Sequence, residues 1–234
     1  MNPSPHSLAR RAAVEAAGTA LLLATIVGSG IMSEQLAGGN IAIALLANSL
    51  ATGGSLIALI HAFGSISGAH FNPAVTLADA SQGGLSWHEV PAYLVAQIAG
   101  AYAGVILAHA MFGLPLLNSS QHIRSGPAQA LSEFVATFGL LTVIFCCSRS
   151  HAAATPFAVA AYIVAAYWFT SSTSFANPAV TLARAASNTF AGIRPTDVPT
   201  FLVAQLAGAA TATLFLRWLF PLQKTSPDIL IPHA

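Results

Sequence analysis

Residues 72–80 read NPAVTLADA and residues 177–185 read NPAVTLARA, and the two segments differ at one of nine positions. The likeness continues on both sides: YLVAQIAGA from Tyr93 matches FLVAQLAGA from Phe201, and EAAGT from Glu15 echoes EFVAT from Glu133. The chain is therefore two copies of one unit, and what is read from one copy constrains the other.

The surroundings of the two segments decide what kind of unit this is. Of 234 residues, 55% are hydrophobic and 6% are charged, whereas a soluble domain carries about a quarter charged residues. Such a chain cannot build a water-facing surface, and its long apolar stretches need a bilayer as solvent. Six of them, near 10–33, 40–63, 89–112, 128–148, 153–170 and 198–220, are long enough to cross a hydrocarbon core of about 30 Å at about 1.5 Å per residue. The run after Arg10 and Arg11 is too long for a leader and lacks a clear cleavage pattern, so it reads as the first span. The two NPA stretches, 72–81 and 177–187, are too short to span and read as half-helices.

Each half then has the order span, span, half-helix, span. An odd number of spans per half means that the second half enters the membrane from the opposite side, so the repeats are inverted. The expected fold is an all-α membrane protein with six transmembrane helices and two re-entrant half-helices. It is expected to form one domain over 1–234, with repeats at about 10–112 and 128–220 joined by loop 113–127. Arg10, Arg11, Arg149, Arg217 and Lys224 fall on one side and Arg124, Arg184 and Arg194 on the other. That excess places both termini in the cytoplasm.

Irregular backbone at membrane depth survives only where protein buries it or where it lines a watery cavity. The Gly-, Ser- and Thr-rich segments 65–71 and 170–176 read as such backbone. Asn72 and Asn177 suit a helix N-terminus, where the side chain caps free amides. Pro73 and Pro178 suit the first helical position, where a missing N–H costs nothing, and Ala74 and Ala179 complete the motifs. If the half-helices meet end to end, their positive poles converge at mid-membrane and repel cations. A solute passing there meets the two asparagine amides, and carbonyl rows at Gly68, Ala69 and His70 and at Thr173, Ser174 and Phe175 offer acceptors.

With SGAHFNPAVT from Ser67 and SFANPAVTLA from Ser174 in the two expected re-entrant loops, the chain resembles the aquaporin, or major intrinsic protein, family over almost its whole length. Pore diameter, lining groups and electrostatic barriers determine selectivity in such pores. Intramembrane Glu15 and Glu133 are functional candidates by default. Proton relay is one reading; the resemblance implies instead that each tethers a re-entrant loop through backbone N–H groups. It likewise implies a loop-stabilising role for His70.

The family usually carries an arginine immediately after the second NPA. Here that position is Val180. Arg184 lies one helical turn further and faces nearly the same side, but is expected beyond the constriction and not to substitute. Family spacing places the remaining filter positions at Thr52, Ala165 and Ser174, all small. The filter is similar to that of a bacterial subgroup associated with arsenic detoxification. The resemblance implies a passive channel for glycerol-like polyols, arsenite, methylated arsenicals and water in a bacterial inner membrane, assembled as a homotetramer. A water-selective pore, a non-conducting structural membrane protein and an ion-coupled transporter remain alternatives; the last would use Glu15 or Glu133 as its coupling group.

No P-loop, nucleophile elbow or metal-ligand cluster competes with this reading, so neither an enzyme nor a cofactor is expected. His88, His109, His122 and His151 lack a metal-ligand spacing, and His61 reads either as a gate or as a buried hydrogen-bonded side chain. A net charge of +1 argues against a nucleic-acid partner. Adjacent Cys146 and Cys147 read as apolar filler, away from both NPA loops.

Overall fold

A computed structural model of the protein describes residues 6–220. Six long helices are present: α1 (Leu8–Leu36), α2 (Ile41–Ser67), α4 (Val90–Met111), α5 (Pro127–Ser150), α6 (Thr155–Phe169) and α8 (Val198–Leu219). Between them lie the short helices α3 (Pro73–Ser81) and α7 (Pro178–Arg184), and 3₁₀ turns at Ala152–Ala154 and Pro195–Asp197 lead into α6 and α8. Counting those turns, six helical stretches are long and apolar enough to cross a membrane. Regular structure among the described residues is entirely helical.

Local chemistry sets the ends. The Asn40 side chain caps α2 by accepting from the Ala42 and Ile43 amides at 3.1 and 3.2 Å. Proline occupies the first turn of α4, α5, α6 and α8, where its lost N–H is not needed. Three boundaries differ from the sequence expectation by three residues or more, and the first is the end of α1, which runs on to Leu36 rather than 33. Helix α2 continues through Gly64 and Ser65 to Ser67 and stops at Gly68, whose φ of 89° is left-handed; the bonds of Ser67 to Glu15 and Tyr93 hold the last turn against the weak helix propensity of glycine and serine. Helix α7 stops at Arg184 rather than 187, because the Ala185 and Ala186 carbonyls accept from the amides of Ser120 and Asn118 at 2.9 Å.

Packing follows the repeat. Helix α1 lies along α4 in the first half and α5 along α8 in the second. Glycine permits both approaches. A Cβ built on Gly100 would stand 2.2 Å from the Ala16 carbonyl oxygen, and one on Gly104 would stand 2.3 Å from that of Ala20. Gly208, which matches Gly100 in the repeated segment, would meet the Phe134 carbonyl oxygen at 2.5 Å. With lipid outside, helix pairs rely on such close van der Waals contact rather than on expulsion of water.

One end of the bundle gathers the start of α1, the start of α4 and the ends of α3, α5 and α8. There Arg11 pairs with Glu89, Arg149 donates to the Gln82 side-chain oxygen at 2.8 Å, and Arg217 donates to the Ser81 carbonyl. Lys224 lies outside the described residues. At the other end Arg194 pairs with Asp197 at 2.8 Å.

The hydrogen bond from Arg11 holds the Glu89 carboxyl below the usual carboxylate range, against a smaller opposing effect of burial. A depressed carboxyl pKa gives stability that is present above the unfolded value of about 4.3 and is lost as pH falls through the folded value. We therefore expect Glu89→Gln to melt below wild type at pH 7, with the gap closing as the pH is lowered toward about 3. A gap independent of pH would assign the contribution to packing.

Candidate functional site

The half-helices α3 and α7 place their N-termini against each other. Asn72 Oδ1 accepts from the Ala74 amide at 2.9 Å, and Asn177 Oδ1 accepts from the Ala179 and Val180 amides at 3.0 and 3.3 Å. Each side-chain amide also reaches across the repeat boundary: Asn72 Nδ2 donates to the Ala176 carbonyl and Asn177 Nδ2 to the Phe71 carbonyl, both at 2.8 Å. An NH₂ group has two hydrogens, so each asparagine keeps one N–H beyond this crossed pair, and both residues line a cavity of about 320 Å³.

The loops that lead into the half-helices are held in left-handed conformations that most residues avoid. Gly68, Ala69 and Phe71 have φ of 89°, 49° and 48°, and their counterparts Thr173, Ser174 and Ala176 have 60°, 49° and 47°. Such backbone persists only where its surroundings dictate it. Glu15 Oε1 accepts from the Ser67 hydroxyl at 2.6 Å and the His70 amide at 2.9 Å, and its Oε2 accepts from the Phe71 amide at 2.7 Å and Gln97 Nε2 at 2.8 Å. Glu133 accepts from the Phe175 and Ala176 amides at 2.9 Å and from Gln205 Nε2 at 2.6 Å. Both carboxylates are fully buried, and neither lines the cavity.

A second set of bonds repeats in the same way. Gln97 and Gln205 also donate to Thr76 Oγ1 and Thr181 Oγ1, at 2.9 and 2.8 Å, and those hydroxyls donate to the Asn72 and Asn177 carbonyls at 3.1 and 2.9 Å. Each glutamate is thereby linked through glutamine and threonine to the first turn of its half-helix. The glutamines stand at matching places in YLVAQIAGA and FLVAQLAGA, and that coincidence of a polar residue in two apolar runs was the available signal for them.

The proposed filter residues do not all come together. Thr52, Ser174 and Val180 line the cavity, as do Gly68, Ala69, His70 and Phe175; Thr173 does not. Its hydroxyl instead accepts from Arg124 at 3.3 Å. Ala165 is on the exposed face of α6 and away from the cavity. Val159, Ile163 and Tyr167 supply that wall. They recur at every fourth position, one face of a helix, whereas residue 165 is turned about 200° from residue 163. The Tyr167 hydroxyl lies 3.2 Å from Thr52 Oγ1. Arg184, expected beyond the constriction, lines the same cavity as Val180.

His70 Nδ1 lies 3.1 Å from Thr76 Oγ1 and its ring packs against Tyr93. His61 is exposed, bonded to the Ile57 carbonyl at 2.9 Å and edge-on to Phe157, neither buried nor in the cavity wall. Cys146 and Cys147 are half-buried free thiols outside that wall. Among the described residues no group of three or more His, Cys, Asp or Glu could hold a metal. In the loop before α5, burial pushes the Arg124 guanidinium down to about 10, which leaves it charged at neutral pH. Burial first, and then the charges of Arg124 and Arg184, lower His122 from its ordinary value.

Two half-helices joined at their N-termini beside a mainly apolar cavity that both asparagines line, inside six membrane-spanning helices, define a channel and not an enzyme. The major intrinsic protein family model matches residues 4–170 and 147–230, and the chain belongs to that family of integral membrane proteins. It is 53% identical over 226 residues to aquaglyceroporin AqpS of Rhizobium meliloti, covering 94% of this chain and 97% of that protein. It is 33% identical over 139 residues to probable aquaporin NIP7-1 of Arabidopsis thaliana, covering 58% of this chain and 48% of the relative. The X-ray structure of the aquaglyceroporin from Plasmodium falciparum has the same fold, with a TM-score of 0.70 at 21% identity over 89% of this chain and 95% of that one.

Proposed function

We propose that the protein is a passive pore for small neutral solutes broader than water: glycerol-like polyols, trivalent metalloid hydroxides such as arsenite, methylated arsenicals, and water itself. The observation that carries this reading is Val180. A short apolar side chain lines the cavity directly after the second NPA, beside the hydroxyls of Thr52 and Ser174, with no cation at that position. Ser174 Oγ is buried and has no hydrogen-bond partner among the described residues. The name of the Rhizobium relative, an aquaglyceroporin, supports a solute wider than water. Undissociated arsenite presents three hydroxyls, as glycerol does.

A water-selective pore is the second reading, and Tyr167 and Arg184 favour it because both line the cavity. Proteoliposomes decide between the two. Under a glycerol or arsenite gradient, vesicles containing the protein should shrink and then re-swell; shrinkage without re-swelling would leave only the water channel. Val180→Arg is expected to reduce glycerol and arsenite flux at least about tenfold while reducing water flow much less, because the guanidinium both fills the opening and fixes a charge there. Equal loss of both fluxes would contradict the filter assignment.

Glu15 and Glu133 have their oxygens engaged by loop donors and do not face the cavity, which argues against a coupled transporter. We extend the proposal to a homotetramer in the bacterial plasma membrane with both termini cytoplasmic. Arg10, Arg11, Arg149 and Arg217 on the termini side support the orientation.

A further inference from the structure

The single difference between the two nine-residue segments exchanges one charge for its opposite, Asp79 in the first and Arg184 in the second. Both side chains line the cavity. Helices α3 and α7 run from the middle of the bundle toward opposite faces, so these equivalent positions stand at opposite mouths. Asp79 is on the face shared with the start of α1, and its carboxylate is 3.7 Å from His70 Nε2. Arg184 is on the other, where His109 Nε2 meets Ser187 Oγ at 2.9 Å and loop 113–126 folds over α7.

Arg184 is 2% exposed. Its Nε–H donates to the Ala191 carbonyl, and its guanidinium lies 3.3 Å from the centroid of the Phe175 ring, against which Arg124 also packs at 5.0 Å. Among the described residues neither arginine has a carboxylate within ion-pairing distance, and no hydrogen bond occupies the terminal nitrogens of Arg184. A buried guanidinium stays protonated. Here it is held by a carbonyl and an aromatic face, so its charge is positioned but not neutralised.

We infer that Arg184, one helical turn past Val180, carries the fixed positive charge of the filter and screens out cations at this mouth. The inference rests on the solute-pore reading and adds the residue that keeps such a pore ion-tight. Val180 leaves the ring of residues after the second NPA uncharged, and a longer side chain from the next turn returns the charge to the same cavity. Its field adds to that of the half-helix poles, and it acts in a wall of low dielectric, where it is weakly screened.

The test uses proteoliposomes of wild type, Arg184→Leu and Arg184→Lys, reading glycerol re-swelling together with proton and sodium entry in the same vesicles. Wild type should pass glycerol and hold back both cations. Arg184→Leu should raise cation entry relative to glycerol flux by roughly tenfold or more, the scale of one unscreened charge in a constriction. Arg184→Lys should remain close to wild type, and adding Val180→Arg to Arg184→Leu should restore exclusion. A glycerol-conducting Arg184→Leu that is as cation-tight as wild type would overturn the assignment, and so would a lysine variant as leaky as the leucine one. Wild-type vesicles that pass glycerol and cations alike would overturn it without any variant. Wild-type vesicles indistinguishable from empty ones would sink the pore reading and this inference with it.

Discussion

Vesicles carrying Glu15→Leu are expected to be as impermeable to glycerol as empty ones, and the purified variant is expected to melt well below wild type. Four donors converge on the Glu15 carboxylate: the Ser67 hydroxyl, the His70 and Phe71 amides, and Gln97. Leucine leaves all four without their acceptor in a fully buried place, where each orphaned group costs about 1–3 kcal/mol. The sum is a large part of a typical total stability of about 5–15 kcal/mol. These bonds hold both amides that flank the left-handed turn at Phe71, whose φ is 48°, so the cavity wall should be lost with them. Glu15→Gln keeps one acceptor oxygen and should lie between the two. Stopped-flow swelling and a thermal melt in detergent read both effects; glycerol flux within twofold of wild type in the leucine variant would show that the loop holds its shape without the carboxylate.

A comparable loss is expected from Gly100→Val. The first added carbon would lie 2.2 Å from the Ala16 carbonyl oxygen and 2.9 Å from the Ala16 Cα, and backbone atoms cannot swing aside as a side-chain tip can. Helices α1 and α4 would have to separate, which displaces Glu15 from the loop and Gln97 from Thr76 together. Overpacking costs about 1–3 kcal/mol even where side chains adjust, and the cost is larger against backbone. Membrane yield and size-exclusion profile report the result. Gly64→Ala is the control, because nothing lies within 4 Å of the Cβ it adds.

How far these features could be read from sequence depended on whether they are local. Asn-Pro at 72–73 and 177–178 states a helix start by itself, through a side chain that caps and a ring that needs no donor, and its repetition set the inverted plan. Ala165 shows where linear counting stops. Family spacing selects a residue number, but the cavity-facing stripe of α6 is set by the helical phase that puts Val159, Ile163 and Tyr167 on one side. Arg184 escaped for another reason: its position lies a turn away, yet its side chain is long enough to return. The roles of Gly100, Gly104 and Gly208 depend on which helix lies opposite, and a lone glycine in an apolar run does not declare a neighbour.

The crossed bonds at the centre bear on how the protein comes to be made. Asn72 needs the Ala176 carbonyl, 104 residues later in the chain, and Asn177 needs that of Phe71, 106 residues earlier. Until the second half is made, the Asn72 amide and the Phe71 carbonyl lack these partners. The centre can therefore be completed only once α7 is present. By the same logic, two half-length polypeptides made from separate messages and meeting in one membrane would bring every centre-forming partner that the intact chain possesses.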